Sequence, residues 1–204
     1  MELTTTQKDA LQEMGNIGAA HAATALSTML MTSIDMNVPE IFVVDLSKVH
    51  EFISDDRSAM VLFQVSGDIS HGGFLLLHVP IPSAIRLVNV MLGQTDMDRE
   101  MSEMDQSALL EIGNIMVSAF LDGTAGLLDM IMLPSPPDLV IDMPHAAIEA
   151  IIATTLDEHA NEVVLFRTEL TSNQHSIESN IIMLPNPPML NDIIRMLEKV
   201  LSGA

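Results

Sequence analysis

An internal duplication is the feature that most constrains the fold of this 204-residue chain. The segment Glu-Met-Gly-Asn-Ile-Gly at 13–18 returns as Glu-Ile-Gly-Asn-Ile-Met at 111–116. The offset between matching segments grows by a few residues along the chain, which indicates loop insertions and not a change of architecture. Self-similarity of this extent predicts two copies of one supersecondary unit. The further matching pairs are VPEIFVVDL (38–46) with PPDLVIDM (136–143), VLFQV (61–65) with VLFRT (164–168), and LHVPIPSAIRLVNVML (77–92) with MLPNPPMLNDIIRMLEKV (183–200).

Each copy begins with a long predicted helix. Thr4-x-x-Gln7 and Ser102-x-x-Asp105 have the spacing of a capping box, in which two side chains satisfy the free N–H groups of the first turn. The apolar periodicity then continues for about six turns of 3.6 residues. We expect the two helices to end at about Ile34 and about Leu133, each followed by a turn that contains proline.

The rest of each copy predicts a buried strand, a short helix, two or more strands and a final helix that starts at proline. The buried strands are expected at 38–46 and 136–143. The glycine-rich segment GDISHGG (67–73) predicts a hairpin turn, and TSNQHS (171–176) stands in the equivalent place.

One copy has too few strands to cover its own long helix, so we expect the two copies to share one sheet. The predicted fold class is α+β, with a mainly antiparallel sheet, pseudo-two-fold symmetry and the two motif-bearing helices on one face of the sheet. The predicted domain organisation is a single domain over 1–204, made of repeats at about 1–97 and 102–204.

Composition excludes several kinds of site. The chain has no cysteine, which excludes disulfides, thiol catalysis and thiolate metal sites. Its seven histidines include no i, i+4 pair, so we expect no metal ion and no cofactor of its own. The N-terminus lacks a signal-peptide pattern, and polar residues interrupt the apolar run at 17–34. We therefore expect a cytoplasmic protein.

The charge is strongly acidic, since 28 Asp and Glu stand against 8 Lys and Arg and give a formal charge of −20. Such a surface repels phosphate backbones and anionic lipids, so we expect neither a nucleic acid nor a membrane partner. A basic surface of a protein partner would be attracted. Solubility, or adaptation to a cytoplasm rich in salt, would account for the same charge without any partner.

The repeated motif places an acid and an amide on one helix face. Residues at i, i+4 and i+7 share a face, and this spacing holds for Asp9, Glu13 and Asn16. The second copy has the same spacing at Ser107, Glu111 and Asn114. An exposed Glu and Asn on one helix usually form only a solvated surface. Here other exposed positions of the two helices have diverged while the Glu and Asn are kept; the divergent pairs are His21 with Ala119, Thr24 with Asp122 and Ser27 with Ala125.

The surroundings of the motif contain no cation. Neither 9–39 nor 107–137 contains a Lys or Arg. Phosphoryl transfer needs cations or a metal ion to stabilise the developing negative charge. If the chain is an enzyme, its substrate must therefore bring them.

The complete pattern resembles the signature [Asp/Ser]-x3-Glu-x2-Asn-x22-Pro of the CheC/CheX/FliY phosphatases of chemotaxis. Both copies match it, since Pro39 and Pro137 each follow their Asn after 22 intervening residues. Two intact copies resemble the CheC type, whereas CheX carries one. Little chain follows the second repeat, so we expect no flagellar-switch domain of the kind that FliY adds.

The resemblance implies a phosphatase that acts on the phosphoaspartate of the response regulator CheY. It implies that Glu13 and Glu111 dock the receiver, and that Asn16 and Asn114 orient the attacking water. Mg²⁺ and a Lys are then expected on CheY. The supporting motif positions are Asp9, Pro39, Ser107 and Pro137.

The resemblance also implies a second partner, the receptor deamidase CheD, on a short helix at about 144–156. The main alternative to an enzyme is an adaptor that binds CheY or CheD without hydrolysing phosphate. The two intact Asn residues favour the enzyme, because binding alone does not require the amide.

Overall fold

The computed structural model describes residues 3–45, 48, 51–52, 56–70, 73–155 and 162–202. These residues form five α-helices and eight β-strands. In chain order they are α1 (Thr5–Leu30), β1 (Asp35–Met36), β2 (Glu40–Asp45), β3 (Ser58–Gly67), β4 (Gly73–Pro80), α2 (Ile81–Leu92), α3 (Glu103–Leu128), β5 (Met132–Pro134), β6 (Asp138–Asp142), α4 (Pro144–Thr155), β7 (Glu162–Ser172), β8 (Ile177–Leu184) and α5 (Pro187–Ser202).

All eight strands belong to one sheet, and every pair of neighbours is antiparallel. The order is β1-β7-β8-β4-β3-β5, with β2 also pairing with β7 and β6 with β3. The first two strands of each repeat therefore pair with the outer strand of the other repeat's hairpin: β1 and β2 pair with β7, and β5 and β6 pair with β3. The α+β fold with a shared antiparallel sheet, predicted from the sequence, is confirmed.

The strand register shows how the two repeats are related. Strands β4 and β8 meet at the centre, where Leu76 lies opposite Ile182. Phe74 opposite Leu184 and His78 opposite Asn180 lie two residues to either side of this pair. A two-fold axis through the central pair exchanges β4 with β8, β3 with β7, and the two outer strands of each edge. This symmetry is what a duplicated unit predicts.

The two long helices start where the sequence predicts and end earlier. Capping boxes form at Thr4 and Ser102, and each helix has 26 residues. The predicted ends near 34 and 133 are wrong, because Met31 and Asp129 take left-handed backbone angles, with φ of 52° and 51°. A left-handed residue terminates a helix, but glycine or asparagine usually marks that position, so neither helix end carries a recognisable stop signal.

The main core lies between the sheet and the helices α1, α2, α3 and α5. Helices α1 and α3 approach closely at two glycines. A Cβ atom added to Gly18 would lie 2.8 Å from Phe120 and from Thr124, and one added to Gly123 would lie 2.9 Å from the His21 ring. Carbon atoms pack at about 3.5–4.0 Å, so the absence of side chains at both positions is what permits this packing.

The strands that follow the two motif helices are not buried, which corrects the prediction for 38–46 and 136–143. Most residues of β2 and β6 are half-buried, and the residues at both ends of each strand are exposed. They occupy the outer edges of the sheet, where β2 pairs with β7 and β6 pairs with β3. Their apolar runs resemble those of buried strands, so the sequence pattern alone does not separate the two cases.

Helix α4 lies on the opposite face of the sheet and confirms the short helix predicted in the second repeat. Ile148 and Ile151 pack there against Leu76 and Ile182 in a smaller second core. The equivalent segment of the first repeat lies largely outside the described residues.

Helix α3 is long and apolar enough to cross a membrane by length and composition. More than half of its apolar window, 56%, is buried inside the fold, as expected of a core helix. The described residues contain no other helix of this kind.

A buried ion pair holds the segment between the repeats. Arg99 donates two hydrogen bonds to Asp105 in the first turn of α3 and a third to Asn89 of α2. Asp105 is only 1% exposed. The hydrogen bond from Arg99, with further bonds from Ser102, lowers the pKa of Asp105 to about 2.

Candidate active site

The two copies of the motif occupy equivalent turns of α1 and α3. Glu13 and Glu111 are exposed, and Asn16 and Asn114 are half-buried. Residues three apart on a helix differ by about 60° around the axis and by about 4.5 Å along it. Each Glu and its Asn can therefore contact the same bound partner. The Asn lies deeper in the protein than the Glu.

The four side chains make no hydrogen bond or ion pair with the described part of the chain. The supporting position differs between the copies, as Asp9 is exposed whereas the Ser107 hydroxyl donates to the Glu103 carbonyl oxygen at 3.0 Å. Polar groups without internal partners are available for an external one, since a hydrogen bond to a ligand then displaces only water.

In the first copy, proline and glycine bring α1 against the start of β2. A Cβ atom added to Gly15 would lie 3.1 Å from Cβ of Pro39, so the helix and the proline are in close contact. The Gln12 side chain donates from Nε2 to the Pro39 carbonyl oxygen at 3.1 Å. The contact with Pro39 holds the helical turn from Gln12 to Asn16 in place. The spacing of the motif did not explain how this turn is held.

The second copy is supported differently. A Cβ atom added to Gly113 would lie 2.8 Å from Cγ1 of Val61, and its three nearest atoms all belong to Val61 of β3. Pro137 is half-buried, whereas Pro39 is buried. Leu110 replaces the Gln of the first copy, so the bond to the proline carbonyl has no equivalent.

Two supporting residues, Gln12 and Val61, were missed by sequence reasoning. Gln12 differs between the copies, so the internal comparison gave no reason to select it. Val61 lies 52 positions before Gly113, and only the packing of α3 on β3 brings the two together.

The chemistry of the site follows from what it holds. A carboxylate can pair with a cation of a partner, and an amide can donate to one oxygen while accepting from a water. The motif segments contain no Lys or Arg, so neither copy carries its own stabiliser of negative charge. The arrangement suits a reaction in which the partner supplies the electrophile and its cations.

Comparison with known proteins agrees with the duplicated motif. A model of the CheC-like family matches residues 7–43 and 104–141, which contain both copies. The chain is 31% identical over 189 residues to a Bacillus subtilis protein named CheY-P phosphatase CheC, and the match covers 88% of each chain.

Solved structures share the fold. The crystal structure of Thermotoga maritima FliY matches with a TM-score of 0.80 and 21% identity, over 98% of this chain and 100% of that one. A chain of the CheX–CheY–BeF3–Mg²⁺ complex from Borrelia burgdorferi matches with a TM-score of 0.56 and 17% identity, over 83% of this chain and 96% of that one. With two motif copies, this level of identity and this fold, the chain belongs to the CheC-like family.

Proposed function

We propose that this chain hydrolyses the phosphoaspartate of the response regulator CheY at two sites, one on each long helix. One observation carries the proposal. A Glu and an Asn stand at equivalent places in both copies and have no hydrogen-bond or ion-pair partner among the described residues, in a chain 31% identical to a protein named CheY-P phosphatase CheC. Binding alone would explain the Glu but gives no reason to keep the Asn twice.

Glu13 and Glu111 dock the substrate by pairing with a Lys of the receiver beside its phosphoryl group. Both are exposed and therefore reach a partner without rearrangement of the helix. The receiver also brings Mg²⁺, which together with its Lys stabilises the charge of the transferred group. This division of roles accounts for two motif segments that contain no Lys or Arg.

Asn16 and Asn114 orient the attacking water. Each is half-buried on the turn that follows its Glu, so the backbone of a well-packed helix holds the amide in place. The amide is neutral and does not repel the phosphoryl group, as a carboxylate would. Positioning of a water by a side chain is worth roughly 10²–10⁴-fold in rate.

The test is the rate of phosphate loss from phosphorylated CheY at a fixed Mg²⁺ concentration. Asn16→Ala and Asn114→Ala should each leave partial activity, and the double variant should fall to the rate of CheY alone. Binding of CheY should change little, because the amide acts mainly in the transition state. Asn191→Ala is a control for loss of a helical Asn away from both motif copies, since Asn191 is an exposed Asn on α5. Activity retained by the double variant would contradict the assigned chemistry.

The docking role is tested in the same assay. Glu13→Lys with Glu111→Lys should weaken CheY binding by about 2–5 kcal/mol, because an attractive contact becomes a repulsive one. The fold should persist, since Lys is well accepted on exposed helix positions. Unchanged affinity would show that these carboxylates do not contact the receiver.

The adaptor alternative makes a different prediction for the same variants. If the Asn residues serve binding, the double Asn variant loses affinity and rate together. Docking of CheD on α4 stays a prediction. Its test is the same assay with CheD added, in which CheD should raise the rate of phosphate loss.

A further inference from the structure

A cavity of about 550 Å³ opens on the face of the sheet opposite the long helices. Its floor comes from β2, β7, β8 and β4, whose contributing residues alternate along each strand and so point to one side. Its size lies within the range of roughly 300–1,000 Å³ that is usual for small-ligand pockets. The polar residues of interest are Glu40, His78, Arg167, Glu169, Glu178 and Asn180.

A chain of hydrogen bonds crosses the floor of the cavity. The Asn180 amide nitrogen lies 3.4 Å from Nδ1 of His78, and Nε2 of His78 lies 2.9 Å from the Ser58 hydroxyl. The hydroxyl in turn donates to the Asp56 carbonyl oxygen. An amide nitrogen only donates, so Nδ1 accepts and Nε2 carries the proton. Burial lowers the pKa of His78 to about 4, so the ring is neutral at physiological pH.

The symmetry of the sheet shows that this polar floor is not inherited from the repeat. The two-fold axis at the centre of β4 and β8 relates the pair His78–Asn180 to the pair Phe74–Leu184. The same place in the other half is therefore apolar and belongs to the second core. Burying polar groups costs free energy relative to an apolar pair, and departures from the simplest packing concentrate at functional sites.

The charges around the cavity define the ligand. Arg167 is paired with Glu40, donates to the Phe52 carbonyl oxygen and lies 5.5 Å from the Phe42 ring centre, so its charge is already engaged. The carboxylates of Glu169 and Glu178 also line the cavity. Asp56 lines the cavity as well, so with the Glu40 charge balanced by Arg167 the walls are negative.

We propose that this cavity binds a small organic cation through an alkylammonium or guanidinium group. The group donates to Glu169 and Glu178 and to the amide oxygen of Asn180, whose nitrogen is already used by His78. Two sources share this chemistry, a free amine and an Arg side chain of a peptide. The proposal is independent of phosphatase activity, because the cavity and the motif helices lie on opposite faces of the sheet.

The experiment is a calorimetric titration of the full chain in 150 mM KCl, with NMR signals of the His78 ring as a local readout. Agmatine is the free cation, a capped Gly-Arg-Gly tripeptide is the peptide source, and the tripeptide with citrulline in place of Arg is the neutral control. We expect saturable binding of at least one cation, with a shift of the His78 signals, and no binding of the citrulline peptide. Binding of agmatine identifies a free amine as a sufficient ligand, whereas binding of the Arg peptide alone identifies a protein side chain.

Two double variants separate this site from general attraction to an acidic surface. Glu169→Gln with Glu178→Gln removes the charge, and His78→Leu with Asn180→Phe installs the apolar pair found at the symmetric place. Each should weaken binding at least tenfold, and thermal unfolding checks that each remains folded. The proposal is overturned if neither cation saturates, if the citrulline peptide binds equally, or if the folded charge variant binds as tightly as the parent chain.

Discussion

Replacement of Gly113 by alanine tests how tightly the second motif helix is held against the sheet. The added methyl group would lie 2.8 Å from Cγ1, 2.9 Å from Cβ and 3.2 Å from Cγ2 of Val61. Val61 is fully buried and β-branched, so its side chain has little freedom to move away. Gly126 provides the matched control on the same helix, because no described residue outside its own helical turn lies within 4 Å of a Cβ added there.

The two substitutions have one contribution to the free energy of unfolding in common and differ in a second. Alanine in place of glycine stabilises a helix by up to about 1 kcal/mol at either position. Overpacking of a core site costs about 1–3 kcal/mol, and this cost applies only at Gly113. Gly126→Ala should therefore be more stable than Gly113→Ala by about 1–3 kcal/mol. For a chain of this size the difference corresponds to about 2–12 °C in Tm.

The assay is thermal and urea unfolding of both variants and the parent chain, followed by circular dichroism under one set of conditions. Gly126→Ala should melt at or above the parent chain, and Gly113→Ala below Gly126→Ala. If Gly113→Ala were as stable as Gly126→Ala or more stable, the close contact of α3 with Val61 would be contradicted. The structural account of the second motif copy would then be wrong as well.

Two further substitutions test the first site and the link between the repeats. Gln12→Leu should lower the free energy of unfolding by about 1 kcal/mol, because the hydrogen bond to the Pro39 carbonyl is lost. In a chain that also carries Asn114→Ala, so that only the first site is active, Gln12→Leu should lower turnover more than CheY affinity. Equal losses of turnover and affinity would contradict a positioning role for Gln12. The hydrogen bond from Arg99 lowers the pKa of Asp105 to about 2. The ion pair therefore stabilises the fold at neutral pH by about 2 kcal/mol, and this stabilisation is lost as the pH falls from about 4 to about 2. Urea unfolding should show the advantage of the parent chain over Asp105→Asn shrinking across that range, and a constant difference would refute the assignment.

Much of the local structure followed from the sequence because short-range rules determine it. Capping boxes marked both helix starts, since the bonds they make join residues three apart. The 3.6-residue period placed Glu13 with Asn16, and Glu111 with Asn114, on accessible faces independently of any tertiary contact. The helix ends were missed because neither Met31 nor Asp129 is the glycine or asparagine that most often occupies the left-handed position after a helix.

The duplication also determined that the two halves share a sheet, but only the tertiary structure decided which strands meet. Each repeat pairs its first strands with the other repeat's hairpin, so the partners are far apart in sequence. No local pattern specifies such a partner, because the apolar alternation of a strand is the same whichever neighbour it has.

The two copies of the motif show the same division. The sequence by itself identified Glu, Asn and Pro at identical spacing and predicted equivalent sites. The tertiary structure decided that Gly15 rests on Pro39 while Gly113 rests on Val61, and that His78 and Asn180 meet across β4 and β8. These contacts depend on how helices and strands remote in sequence pack and align. A single sequence contains the side chains for such contacts but not the distances between them.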